Sequence, residues 1–274
     1  MLRRLVLAAA LLAGAAGPAA AAPVAAEIPG WRAVLLAAPE RAHDDNPVAR
    51  VRISHGGRVV VDRPLPSATA WFTPGTIRFS NVAGPGHVLV WADVVTSGRD
   101  TTTTTVLYDF PAGVAKPRVT SFGWSVFGYE ERKIGGKTAY ITADGDYYAL
   151  FDARVFSVTP ILVREYRSGT FVDVTPAYPD LVAAEAARYR AAFEPGVCES
   201  DEAAGAYLSD MVRVGRADAG VADVTAILRP QSDVSFFKTM NAVLHAKKLL
   251  PPERQLRIAD GVARCDPQKK STHA

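Results

Sequence analysis

Val119 to Pro179 reads VTSFGWSVFGYEERKIGGKTAYITADGDYYALFDARVFSVTPILVREYRSGTFVDVTPAYP. Gly123, Gly128, Gly135, Gly136, Gly145 and Gly169 cut it into short segments rich in β-branched and aromatic residues. Runs of that kind, bounded by turn formers, predict successive antiparallel strands joined as hairpins. The aromatic residues outnumber what one face of a small sheet needs. Core packing and cross-strand pairing account for most of them. Trp124, Tyr147 and Tyr148 are candidates for a ligand-facing surface, with alternation placing one of the two adjacent tyrosines outward.

Upstream, VRISHGGRVVVDRPLP (51–66) holds two strand-like runs either side of Gly56-Gly57, a hairpin signal with His55 at its turn. Gly86 to Asp93 (GHVLVWAD) matches Gly136 to Asp144 (GKTAYITAD) with one offset, and Val106 to Phe110 matches Ile161 to Tyr166. This is a faint internal repeat of roughly 50 residues, within the propeller-blade range. A closed propeller needs at least about four blades, so an open fragment or a stack of antiparallel sheets is expected. The five threonines Thr101 to Thr105 feed into Val106-Leu107-Tyr108 and are read as strand, with a glycosylated stalk as the alternative.

After Tyr178 the period becomes helical. DLVAAEAARYRAAF (180–193) predicts a helix capped by Asp180, and a second starts at Ser200 or Asp201 and stops near Gly215. A third covers Val221 to Leu228, a fourth Asp233 to Leu250, and a fifth Glu253 to Ala263. The fold class is therefore α+β. A propeller-like or sandwich-like antiparallel β domain spans 27–178, a helical region 179–265 and a polar tail 266–274.

Arg3-Arg4, the apolar run Leu5 to Leu12 and the Ala-rich stretch to Ala22 have the three parts of a secretory signal peptide, 1–22, with 26 as the alternative end. A periplasmic or secreted protein is expected, with no membrane span after signal removal. Cys198 and Cys265 are the two cysteines of the chain, and in an oxidising compartment they are read as a disulfide. Arg3 and Arg4 contribute two units of the formal net charge of +3, leaving +1 for the rest of the chain. The remaining near-neutral balance argues against nucleic acid or anionic membrane as a partner.

No catalytic motif is present. Ser125 lies between Gly123 and Gly128 without nucleophile-elbow spacing, and Gly135-Gly136-Lys137-Thr138 lacks the upstream glycine of a phosphate loop. Asp144-Gly145-Asp146, with Asp152 six residues on, is a candidate calcium loop and equally an ordinary turn. Calcium takes about 6 to 8 oxygens, so the turn is the favoured reading and no cofactor is expected.

The segments FSNVAGPGHVLVWAD (79–93) and KIGGKTAYITAD (133–144), with the stretch Arg167 to Tyr189, resemble secreted bacterial proteins of the integrin-alpha-like FG-GAP or VCBS-repeat type. That resemblance implies β blades whose turns often hold calcium. Here the turn Val82 to Gly86 carries no acid. The chain is accordingly read as a non-enzymatic secreted binding or structural protein with a protein or glycan partner. The alternative is a periplasmic hydrolase whose polar residues, among them His55, His87, Asp144, Asp146 and Asp152, converge only in the fold.

Overall fold

The computed structural model describes residues 24–36, 50–65, 72–73, 75–96, 102–112, 116–124, 128–148, 150–151 and 158–269. Three antiparallel sheets follow one another along the chain, and four helices complete it. The fold class is α+β, as the sequence pattern predicts. Sheet A is a meander of β1 (Val24–Ile28), β2 (Trp31–Leu36), β3 (Arg50–His55) and β4 (Arg58–Pro64). Sheet B places β7 (His87–Thr96) between β8 (Thr102–Pro111) and two short strands, β5 (Phe72–Thr73) and β6 (Ile77–Ser80), and β9 (Arg118–Gly123) closes its far edge. Sheet C is the meander β10 (Tyr129–Ile134), β11 (Lys137–Ala143), β12 (Ile161–Arg167) and β13 (Thr170–Asp173).

Period-2 alternation turns these sheets into a stack. In β7, Val90, Ala92 and Val94 pack with Ala33, Leu35, Val51, Ile53 and Val61 of sheet A. The intervening Leu89 and Trp91 pack with Tyr140, Tyr166 and Phe171 of sheet C. Sheet B is thus covered on both faces. Burying one Leu- or Val-sized side chain contributes roughly 1.5–3 kcal/mol, and both faces of β7 collect it. The matched segments of the repeat fall on equivalent strands, β7 with β11 and β8 with β12. The threonine run is strand from Thr102 onward, with Thr105 fully buried; Thr101 lies outside the described residues.

Sheet A turns its other face outward. That face carries Arg50 and Arg52, both bonded to the Asp62 carboxylate at 2.5 and 2.9 Å. The two guanidiniums hold the Asp62 carboxyl below the usual carboxylate range. The β-rich region begins at Val24, ahead of the expected residue 27, because Val24 already pairs with Leu35. Signal cleavage after Ala26 would cut β1 in half; residues 1–22 lie outside the described residues.

The helices are α1 (Pro179–Ala192), α2 (Asp201–Arg213), α3 (Ala217–Ile227) and α4 (Asp233–Ala246). Asp180 sits in the first turn of α1 and not at its cap, where Tyr178 precedes Pro179. Ser200 caps α2 by accepting from the Ala203 N–H at 3.3 Å. The end of α2 is a Schellman motif with Gly215 in the left-handed region, φ 73°. α4 ends the same way, four residues before the predicted Leu250. Lys248 adopts φ 57°, the Lys248 N–H reaches His245 O, and the Leu249 N–H reaches Leu244 O at 2.9 Å.

The predicted fifth helix, Glu253 to Ala263, is absent: the segment is irregular chain with turns at 252–253 and 260–261. Its backbone groups are taken by side chains of the helices it crosses. The buried Asn241 amide accepts from the Leu256 N–H at 2.8 Å and donates to the Leu256 carbonyl at 2.9 Å. Thr225 Oγ1 accepts from the Ala259 N–H at 3.0 Å. Arg264 then grips Asp233 through both carboxylate oxygens, at 2.6 and 2.8 Å. The segment ends at the Cys198–Cys265 disulfide, as predicted, and residues 197 and 266 form a parallel bridge. The start of the polar tail is docked as well, with Lys269 Nζ donating to Pro195 O at 2.7 Å.

Replacing Asn241 by Leu strands the Leu256 N–H and C=O in the interior. Two lost hydrogen bonds with unsatisfied partners cost about 2–3 kcal/mol. Urea denaturation of the Asn241→Leu protein is expected to show a lowered midpoint of that size, with faster proteolysis across 251–264.

Candidate functional site

The DGD turn is an anchor. Asp144 follows β11, caps a 3-10 turn over Gly145–Tyr147, and is 2% exposed. Its carboxylate receives Arg213 at 2.6 Å, from the last residue of α2, and Lys247 Nζ at 2.9 Å, from the residue capping α4. Lys247 also reaches Asp146, and Arg213 donates to the Ile161 carbonyl. Cations on helix C-termini face the negative end of the dipole, so Asp144 collects two charges already oriented by their helices. Two protein cations thus occupy the Asp144 carboxylate proposed for calcium. Among the described residues no group of three His, Cys, Asp or Glu side chains is placed to hold a metal ion. Asp152 lies outside the described residues.

Beside this cluster Asp210 is fully buried, 3.5 Å from Arg213. Burial pushes its carboxyl well above the usual carboxylate range, and Arg213 opposes the shift. Tyr147, a candidate ligand-facing residue, is instead 2% exposed and bonded to Ser209 Oγ at 2.7 Å. Trp124 is corrected in the same way. It is 5% exposed and its indole N–H donates to Thr105 Oγ1 at 2.6 Å. The excess of aromatics is divided between two interfaces: Trp124, Tyr129, Tyr140, Tyr166 and Phe171 pack between sheets B and C, while Tyr147 and Phe151 pack on the helices. Trp91, Trp124, Tyr129, Tyr140 and Phe171 form one ring cluster between sheets B and C. Tyr148 is half-buried.

Several polar groups that face open space gather around His87. His87 opens β7 opposite Pro111, so Asp109 is its diagonal neighbour on the same face of sheet B. The imidazole Nδ1 lies 2.7 Å from Asp109 Oδ1, and the carboxylate is 5% exposed. A buried carboxylate at that distance fixes the ring and its tautomer, with Nδ1–H donating. Two cavities meet at this residue.

The first is an open cleft of about 730 Å³ between sheets A and B, lined by Trp31, His55, Arg58, Val60, His87 and Phe110 among others. Trp31 stacks on His55 at 4.1 Å and leans on Phe110 at 4.7 Å. His55 is held there by its register opposite Trp31 and by the Gly56-Gly57 turn, both glycines at positive φ. A β-bulge follows directly, where the pairing skips Val60, and it re-aims the end of β4 beside the cleft. Among the described residues no acidic side chain lines this cleft.

The second is a polar cavity of about 330 Å³ lined by Val82, Ala83, His87, Asp109, Arg118, Tyr166, Ser168 and Gly169. Arg118 is the direct cross-strand partner of Asp109. Ser168-Gly169 is the two-residue turn closing β12 and β13, with φ 49° and 92°.

His55 and His87, both considered for a hydrolytic site, therefore share a cleft. Asp144 and Asp146 lie elsewhere, between sheet C and the helices. Arg58, Asp109, Arg118 and Tyr166 escaped the sequence reading, because only strand register brings them to His87. No protein-family model matches the chain, and no curated protein is significantly similar to it.

Breaking a buried ion pair by removing one partner costs about 3–5 kcal/mol. Asp144→Asn is expected to lose stability in that range by urea denaturation, with the far-UV helical signal lost ahead of the near-UV signal of the aromatic cluster between sheets B and C. Asp210→Asn tests the opposite sign. Between the ordinary carboxylate pKa near 4 and its raised native value, folded Asp210 holds a proton that the unfolded chain has released, so stability falls as pH rises. Asp210→Asn removes this loss, and its denaturation midpoint should gain on the native protein as pH rises above the ordinary carboxylate pKa of about 4.

Proposed function

We propose that this chain is a secreted or periplasmic, non-enzymatic binding protein whose ligand, a glycan, lies in the cleft between sheets A and B. The observation that carries the proposal is the aromatic wall of Trp31, His55 and Phe110 along an open cleft, rimmed by Arg58 and His87. Ligand sites combine apolar and aromatic lining with a few fixed polar groups, and this cleft has both. The C–H faces of a pyranose suit aromatic rings, and its hydroxyls suit an imidazole and a guanidinium.

A protein partner fits less well. The exposed large apolar side chains, Ile28, Val59, Val60, Val119, Val234 and Ile258, are spread over sheet A, sheet B and the helical layer. A protein-binding core wants them contiguous. The disulfide is consistent with an oxidising compartment. Among the described residues no helix is long and apolar enough to cross a membrane.

One observation favours the hydrolase alternative, the 2.7 Å pairing of His87 with the buried Asp109, which orients an imidazole as a general base would need. Neither cavity places a recognised nucleophile motif beside it.

Glycan-array binding of the native protein, followed by titration of the best oligosaccharide, tests the proposal. Trp31→Ala is expected to weaken binding at least tenfold with the fold intact by circular dichroism. Unchanged affinity would reject the cleft. Hydrolysis of the same glycan that disappears in His87→Gln would replace binding with catalysis.

A further inference from the structure

The cavity between sheets B and C contains a side chain that the fold leaves incomplete. Tyr166 is 9% exposed, lines the cavity, and its buried hydroxyl has no hydrogen-bond partner among the described residues. Burial raises the phenol pKa, the neighbouring Asp109 charge adds to that, and Arg118 opposes it. The hydroxyl is therefore a standing donor near both charges. An unsatisfied buried hydroxyl costs about as much as a lost hydrogen bond, so its persistence needs an explanation.

The other groups of the cavity are complementary in sign. Asp109 and Arg118 face each other across the β8–β9 pair, and their formal charges cancel. One carboxylate oxygen of Asp109 takes His87, and the guanidinium of Arg118 makes no hydrogen bond or ion pair among the described residues. Ser168 adds a hydroxyl from a turn whose positive φ values fix its position. A compact anion would meet the Asp109 carboxylate, and a cation would meet Arg118. A neutral ligand with adjacent hydroxyls satisfies both, since each hydroxyl donates once and accepts from a neighbour. The volume, about 330 Å³, lies at the small end of ligand pockets, which start at about 300 Å³.

We propose that this cavity is a second binding site, taking a single neutral sugar residue through Tyr166, Arg118, Asp109 and Ser168. It deepens the glycan reading and rests on it for ligand class, but not on the aromatic wall. His87 borders both cavities, so one oligosaccharide can occupy the two in turn.

Nuclear magnetic resonance titration of the native protein with glucose, galactose, mannose and N-acetylglucosamine, and separately with inorganic phosphate and acetate, tests it. At least one sugar should shift the Ser168 and Gly169 amides. Tyr166→Phe and Arg118→Gln should each weaken that binding fivefold or more, with Trp31→Ala leaving it within twofold. Tyr166→Phe should melt at or above the native temperature, because it removes an unpaired hydroxyl. Three outcomes overturn the site: no sugar shifts these amides, phosphate or acetate alone does so, or both variants keep native affinity. Loss of oligosaccharide binding in Trp31→Ala with no effect of Tyr166→Phe or Arg118→Gln would leave the aromatic cleft standing and remove this second site.

Discussion

The carboxylate of Asp144 holds the two halves of the molecule together. Little apolar surface meets between sheet C and α1: the buried cluster there is Ala139, Val163 and Val174, flanked by residues such as Val172, Tyr178 and Leu181. Beyond β11, Tyr147, Leu150, Phe151 and Val158 pack into the helical core, with Phe151 stacked on Phe236, and polar contacts fix the geometry. Asp144 takes Arg213 and Lys247, Tyr147 takes Ser209, and the Tyr189 hydroxyl donates to Thr159 O at 2.9 Å. Polar contacts are directional where apolar ones are not, so this junction sets the angle of the helical layer as well as its attachment. α2 and α4 each send a cation to Asp144 from their C-terminal ends, and both must end where they do for the two to converge.

The glycine-bounded strands, the switch to helix at Pro179 and the cysteine pair were all legible in the sequence, because each depends on local chemistry or simple counting. The partners of Asp144 lie 69 and 103 residues away, and no spacing rule reaches that far. Lys248 ends α4 in a conformation usually given to glycine, so its stop signal was missing from the sequence. The Glu253 to Ala263 stretch looks helical by composition, and the Asn241 amide overrides that preference by pairing with its backbone. Tertiary hydrogen bonds outweigh a propensity that amounts to tenths of a kcal/mol per residue.

The faint repeat gains physical content from the stack. Its matched aspartates, Asp93 and Asp144, are both buried acceptors. Asp93 gathers neutral donors, the Trp91 indole at 2.8 Å, Thr76 Oγ1 at 3.0 Å, Tyr129 OH at 2.7 Å and Thr105. Asp144 gathers cations. The same position seals sheet to sheet in one unit and sheet to helix in the next. The candidate site lies apart from both, at the His87 end of β7, where the stacked sheets leave open volume on each side of one strand.

The Cys198–Cys265 bond joins positions 67 residues apart and encloses α2, α3 and α4 within one covalent ring. At the far end of the stack, sheet A begins with the first described strand and presents an ionic outer face. The molecule therefore has a tethered pole and a free pole. The ringed helices form a covalently closed unit, and the cleft between sheets A and B lies outside it, held by side-chain packing alone.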